Sequence, residues 1–453
     1  MNKTSFWLFI FIICLLLGTF IRFNYGLTTD LWNDEAISYF TARNTTYKDL
    51  FLSIGKYDDF VHPPFYYIFL KTCLLFGNNE SWLRLISLFW FVPSLVLVFL
   101  IGKNIKNTQA GFIVSSLFSL HPLFNNLAFQ VRSYSMGIFF LLLALYFFLK
   151  QLKKYSLKGQ LLTGLLLSIS FYIDYASVWL IVSILIFNII LLIQKKRVLA
   201  KATFSTLLFF GFFSFYQIYV FVKSAISNDP NAIPGSVVLI NIFRVTRELN
   251  LITGLGFSLL TLLILIATLL PIFKNKNNNV IFLTIATYVP LILSLVYSLL
   301  IKPVFLARNL FLPSICLFFL LIQTKINIKR IMLILLVLIA YGYQTINRYD
   351  FLYLSNVHRT IKERVSHESI FISFADKKLP SYVNYYLEQE NKKPIIVSVF
   401  NTNILEFLDS QPYQNIFFID NCYDDKVEEC KELSQIITNN YCEKNICSGL
   451  LNN

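Results

Sequence analysis

Charge is what this sequence has least of. Only 14% of its 453 residues are Asp, Glu, Lys or Arg, against roughly 25% in an ordinary soluble domain. A soluble chain of this length would suggest two or three domains, but 56% of the residues are apolar and 46 are Phe. Mean hydropathy is +0.62. A soluble fold cannot hide that much apolar surface, so most of the chain must lie in lipid. The net charge of +14 belongs almost wholly to that part: residues 1–345 carry 28 basic and 10 acidic side chains, whereas residues 346–453 carry 11 and 15. A basic membrane portion followed by a mildly acidic tail excludes nucleic acid as a partner. Also absent are a Walker loop, a Gly-x-Gly-x-x-Gly fingerprint, a Ser nucleophile elbow and a His-Glu-x-x-His pair, so the chemistry has to come from other residues.

Apolar runs long enough to span occur at about 5–21, 83–102, 110–128, 135–149, 159–174, 177–193, 203–222, 250–273, 280–300, 304–322 and 329–345. The first has Lys3 ahead of an apolar core but no small-x-small cleavage site, and reads as an uncleaved anchor. With eleven spans and the N-terminus inside, the inner loops hold sixteen Lys and Arg and no acidic residue. All ten acidic residues before position 346 fall at outer loops or outer span ends. This bias places the N-terminus in the cytoplasm and the tail outside. Residues 64–77, with Lys71 among them, would invert every later loop if they spanned. They read as a juxtamembrane helix, leaving a first outer loop at 22–82, a length usually reserved for function.

The expected architecture is therefore an all-α polytopic membrane protein of about eleven transmembrane helices over residues 1–345, followed by a small extracytoplasmic domain at 346–453. In the tail, strand-like runs (Ser369–Phe374, Pro394–Phe400, Asn415–Ile419) alternate with helix-like ones (Ser381–Gln389, Asn403–Ser410, Val427–Ile437), which argues a small α/β domain. Cys14, Cys73 and Cys316 lie in apolar segments and pack. Cys422, Cys430, Cys442 and Cys447 cluster in the outer tail, where two disulfides in one of three pairings are expected. The rival, a zinc site, lacks a Cys-x-x-Cys pair and a nearby His.

Polar groups at the outer face carry the functional signal. Trp32-Asn33-Asp34-Glu35-Ala36 follows the first span, and its carboxylates could serve as a general base or bind a divalent cation, or simply form an acidic turn. His62-Pro63-Pro64-Phe65-Tyr66-Tyr67 opens the juxtamembrane helix with ordinary structural devices, Pro at a helix start and Tyr at an interface. Gln130-Val131-Arg132-Ser133-Tyr134 forms a tight outer turn in which Arg132 could snorkel to lipid or hold a phosphate. Lys302-Pro303 leads to Arg308-Asn309, where Arg308 falls about one turn into an apolar run, a costly place for a cation. Asp174 sits in the turn Ile173-Asp174-Tyr175, which solvation explains as well as chemistry does. His121, followed by Pro122, lies inside the third span and reads as a packed interhelical histidine. An ion-coupled transporter would need mid-membrane polar groups and broken, repeated helices, and neither is evident.

At these residues the sequence resembles the polytopic GT-C-fold glycosyltransferases that use polyprenyl-phosphate sugars. It looks closest to the bacterial branch of the protein O-mannosyltransferase and aminoarabinose-transferase superfamily. The resemblance covers roughly residues 1–345 in layout. It is most specific from Leu31 to Tyr67 and continues through Asn79-Glu80-Ser81-Trp82-Leu83-Arg84-Leu85, Arg132-Ser133-Tyr134 and Pro303 to Leu310. It implies Asp34 as the general base for the acceptor, Glu35 as its acidic neighbour, and Arg132 and Arg308 as cations near the donor phosphate. Two departures stand out: relatives often carry His-Tyr at the Asp174 turn, and Tyr where Asn309 follows Arg308.

The expected activity is transfer of a sugar from an undecaprenyl-type phosphate carrier to a glycan, lipid or protein acceptor outside a bacterial plasma membrane. Asp34 and Glu35 are the expected catalytic residues, and His62, Tyr66, Arg132, Tyr134, Asp174, Lys302 and Arg308 the expected substrate-binding ones. Two rivals from other classes are a transporter or flippase of lipid-linked sugars and a non-catalytic membrane scaffold. The tail is expected to be accessory. No cofactor is expected: adjacent carboxylates diverge by about 100° on a helix and chelate one ion poorly, and two arginines already serve the leaving phosphate.

Overall fold

The structure, a computed structural model, describes residues 3–52, 62–226, 242–255, 261, 264–266, 268, 277–300, 304–323, 328–347, 361–362, 370–373, 381–393, 395–398, 416–419, 437–443 and 446–451. Its helices are α1 Lys3–Thr28, α2 Asn33–Asn44, α3 Tyr47–Phe51, α4 Pro64–Cys73, α5 Glu80–Phe89, α6 Phe91–Ile105, α7 Thr108–Leu120, α8 Pro122–Phe129 and α9 Tyr134–Gln151. There follow α10 Leu157–Ile173, α11 Val178–Ile193, α12 Arg197–Ile226, α13 Ile242–Thr253, α14 Asn278–Leu300, α15 Phe311–Leu321, α16 Ile328–Asn347 and α17 Ser381–Gln389.

Two compact units divide these elements. The first comprises residues 1–26, 41–77 and 82–350. Among the described residues, six helical stretches are long and apolar enough to cross a membrane, and the bent pair α7–α8 makes a seventh. This is a multi-pass integral membrane protein. Shorter apolar helices at Leu157–Ile173, Phe311–Leu321 and Ile331–Thr345 coincide with three more expected spans. The expected span at 250–273 lies largely outside the described residues, as does Lys302.

Two spans differ from the sequence reading. The third is broken, because Pro122 drives His121 out of the helical region to φ −62° and ψ 124°, and the two halves meet at 65°. A broken span leaves carbonyls that lipid cannot satisfy. Buried side chains do so instead. Arg22 of α1 donates to the Ser119 carbonyl at 2.7 Å and Thr345 of α16 to that of Leu120 at 2.8 Å, while Arg84 caps the far end of α8 by donating to the Phe129 carbonyl at 3.2 Å. The Arg22 guanidinium also lies 3.5 Å over the Phe91 ring, and Gly18 lets α1 come so near the Ser119 carbonyl that a Cβ there would collide with it. His121 itself packs among Phe124, Phe318 and Tyr341. The tenth span, in turn, starts at Phe311 rather than at 304. Residues 307–309 form a 3₁₀ turn, and Arg308 is exposed instead of lying one turn into an apolar helix.

The second unit comprises residues 27–40, 78–81 and 351–453. Its sheet has the order β2-β1-β3-β5-β4, formed by Ile370–Ser373 (β1), Ile395–Ser398 (β2), Ile416–Ile419 (β3), Ile437–Glu443 (β4) and Ile446–Leu451 (β5). β1 runs parallel to β2 and β3, and β5 antiparallel to β3 and β4. Three of the strand-like runs of the sequence contain β1 to β3, and α17 occupies Ser381–Gln389. Asn403–Ser410 lies outside the described residues; so does Val427–Ile437 except for Ile437, which begins β4. Cys442 stands opposite Cys447 in the ladder, and Cys422 and Cys430 lie outside the described residues.

Candidate functional site

The acidic pair stands in the first turn of α2, where the helix dipole favours carboxylates. The two differ in what they do there. Glu35 is fully buried, and its Oε2 accepts the Trp32 amide at 3.0 Å while the Glu35 and Ala36 amides donate to the Trp32 carbonyl. This reciprocal closure is the carboxylate half of a capping box, so Glu35 builds the turn that presents its neighbour. Asp34 is half-buried. Its carbonyl accepts the Ser38 hydroxyl at 2.9 Å. At the other end of α2, Lys71 of α4 donates to the carbonyls of Ala42 and Arg43 at 3.1 and 3.0 Å, a cation on the helix terminus that welcomes one.

Within the same unit as α2's first turn, the C-terminal segment supplies contacts that the sequence did not signal. Tyr386 accepts the Leu31 amide at 2.6 Å and donates to Glu80 Oε2 at 2.9 Å. Burial, with the Glu80 carboxylate beside it, pushes the Tyr386 phenol well above its usual value. The Ser381 amide, one of the donors left over at the start of α17, finds Asn33 Oδ1 at 3.0 Å.

In the membrane unit, five of the expected residues converge. Arg132 is buried, and its guanidinium lies 2.7 Å from His62 Nε2. Arginine has no acceptor, so this contact requires a lone pair on Nε2 and therefore a neutral imidazole. The His62 pKa agrees: burial, then the Arg132 charge, and last the Arg308 charge push it down to about 4, against an upward pull from Asp174. Arg132, Arg308 and Asp174 also act electrostatically on Tyr134. Asp174 is buried, not solvated as an ordinary turn residue would be. Its Oδ2 accepts the Ser133 hydroxyl at 2.8 Å and its Oδ1 the Ala176 amide at 2.9 Å. Gly137 allows this close approach, since a Cβ would meet that of Asp174 at 3.0 Å. Tyr66 is buried on α4, whose neighbour Phe65 stacks on Tyr172 at 4.8 Å.

The turn carrying Arg308 is pinned twice. Ser298 Oγ accepts the amides of Val304 and Phe305 at 2.8 and 2.7 Å, and the buried Glu248 of α13 accepts that of Ala307 at 2.7 Å. Among the charges acting on the neutral His62 imidazole, two arginines outweigh one carboxylate, an arrangement suited to an anion. Among the described residues, no three His, Cys, Asp or Glu side chains are grouped as metal ligands would be. Glu248 and Ser298 escaped the sequence reading because single polar residues at span ends are common. Ser133 and Arg84 stood within motifs but without an assigned part, and Arg22 ended an apolar run where its charge was visible.

Comparison with known proteins adds a match to a family model over part of the chain, and a fold. The family model described as dolichyl-phosphate-mannose-protein mannosyltransferase matches residues 61–221, the stretch holding His62, Arg132 and Asp174. No curated protein sequence matches the chain. Among solved structures, ArnT from Cupriavidus metallidurans bound to undecaprenyl phosphate is similar with a TM-score of 0.56 at 12% identity, over 97% of both chains. The oligosaccharyltransferase AglB from Archaeoglobus fulgidus, in complex with an inhibitory peptide and a dolichol-phosphate, is similar with a TM-score of 0.54 at 12% identity, over 92% of this chain and 70% of its own. The Archaeoglobus fulgidus oligosaccharyltransferase complex with Zn and sulfate gives 0.53 at 14% identity, over 90% and 68%. The shared fold is GT-C.

Proposed function

We propose that this GT-C-fold membrane protein is a glycosyltransferase that moves a sugar from a polyprenyl-phosphate carrier to an acceptor outside the cytoplasm. The observation that carries the reading is the net-positive cluster of Arg132, Arg308, Asp174 and neutral His62, on a fold that other proteins use with polyprenyl phosphates. In the proposed reaction an acceptor hydroxyl attacks the sugar's anomeric carbon and gives its proton to Asp34. The attack comes from the face opposite the phosphate, so the configuration inverts as the bond from that carbon to the phosphate oxygen breaks and the phosphate leaves with the electron pair. Arg132 and Arg308 stabilise the charge that develops on the phosphate. His62 orients Arg132 without cancelling its charge, Asp174 and Ser133 hold the turn beside it, and Tyr66, Tyr134 and Lys302 complete donor binding. Glu35 serves Asp34 by fixing its turn. The acceptor is a protein, lipid or cell-surface glycan, and the membrane a bacterial plasma membrane with the N-terminus in the cytoplasm.

The test uses purified protein in nanodiscs, supplied with polyprenyl-phosphate sugars and an acceptor extract. Asp34→Asn should cut transfer by about 10²–10⁴-fold, the span of a lost general base, with donor binding intact. Transport of the lipid-linked sugar without any transfer product would identify a flippase instead. Transfer should also survive EDTA; loss restored by Mn²⁺ or Mg²⁺ would make Asp34 a metal ligand.

A further inference from the structure

The C-terminal segment reaches the acidic turn through one phenol. Tyr386 is fully buried, and its hydroxyl uses both of its capacities: it accepts the Leu31 amide at 2.6 Å and donates to Glu80 Oε2 at 2.9 Å. Leu31 lies three residues before Asp34, at the point where the chain enters α2. Other contacts of the same unit fix the frame around this bond. The Tyr385 ring meets Tyr39, on the next turns of α2, edge-on at 4.9 Å, and its hydroxyl donates to the Asn78 carbonyl at 3.0 Å. Asn33 accepts the first amide of α17. An amide at a helix entrance, tied to a phenol that is itself tied to a carboxylate, has little freedom, because each bond polarises and orients the next. Leu31 is wholly buried as well, so its amide has no water to turn to.

We propose that Tyr386 is a positioning residue for Asp34, and that Glu80 holds the Tyr386 hydroxyl in the orientation this requires. The C-terminal segment is then part of the catalytic apparatus, with a share in the proton-accepting step rather than in donor recognition. This rests on Asp34 being the base of the proposed transfer. The geometry separates the two jobs of the tail. The rings of Tyr385 and Tyr386 pack, and only the Tyr386 oxygen governs the Leu31 amide.

The experiment compares full-length Tyr386→Phe, Glu80→Gln, Glu80→Ala and the Glu80→Ala/Tyr386→Phe double variant in nanodiscs. Tyr386→Phe keeps the ring and should lower kcat by about tenfold or more, with donor KM and the number of donor-binding sites per chain unchanged. Hydrogen exchange at the Leu31 amide should quicken. Glu80→Gln, whose side-chain oxygen still accepts the phenol proton, should retain near-normal kcat, whereas Glu80→Ala should resemble Tyr386→Phe. The double variant should be no worse than either single one, since both break one chain of bonds. A Tyr386→Phe protein with normal kcat, unchanged Leu31 exchange, or losses that multiply in the double variant would each overturn the proposal. Failure of the underlying functional reading shows elsewhere, in a wild-type protein that transfers no sugar, and there the Leu31 exchange still decides whether the phenol holds the turn.

Discussion

At the scale of single residues, the informative contact is the one between Arg132 and His62. Nε2 must stay unprotonated to receive the guanidinium proton, and the native pKa of about 4 lies below the ordinary 6.5. Between these values the unfolded chain binds a proton that the native state refuses, so stability rises with pH across this window and is lost as pH falls through it. Unfolding midpoints of the nanodisc-held protein should therefore be insensitive to this group above pH 6.5 and drop toward pH 4. His62→Gln, whose side-chain oxygen can accept the same N–H, should lack that component. A difference between wild type and variant that stays constant from pH 4 to 7 would show that the imidazole is not held neutral. The sequence displayed His62, Arg132 and Asp174 because polar groups are conspicuous in so apolar a chain. It could not display that Asp174 is buried or that Ser133 is its partner, since only the fold brings residues 41 positions apart within 2.8 Å.

At the scale of elements, the broken α7–α8 span shows what local patterning reads and what it misses. Hydropathy registered one continuous run, and Pro122 gave the only local sign of the break. Its repair lies far off in the chain: Arg22 comes 97 residues before its carbonyl and Thr345 comes 225 after. Arg22→Met keeps an unbranched side chain against Phe91 but leaves the Ser119 carbonyl without its donor. We expect a loss of about 1–3 kcal/mol, the usual cost of an unsatisfied buried polar group, seen as a lowered denaturation midpoint in detergent. A midpoint equal to that of wild type would mean that another group satisfies the carbonyl. The same reasoning explains the misplaced start of α15. An apolar run continued through 304–310 in the sequence, but Ser298 and Glu248 draw the amides of this stretch out of helical pairing.

At the scale of the whole molecule, the placement of spans was the most legible property, because lipid leaves the backbone few choices and apolar length alone marks most of them. Orientation rests on sixteen inner-loop cations and can be checked with maleimide labels on single cysteines in a cysteine-free background. Lys154→Cys should react only after the membrane is permeabilised and Asp49→Cys in intact cells; the reverse pattern would invert the topology. The helices are also unequal. α12 has 30 residues and its neighbour α10 has 17, about 45 and 26 Å against a hydrocarbon core of about 30 Å. Arg197, Lys201 and Lys223 leave about 20 apolar residues of α12 to cross the core, so its surplus turns stand outside the hydrocarbon, and in its C-terminal half Tyr216 is bonded to the Leu52 carbonyl of the first loop at 3.0 Å. That bond moors the end of the short helix α3 to a membrane-crossing helix, so α3 takes its place from a span 164 residues further along the chain and not from its own five residues.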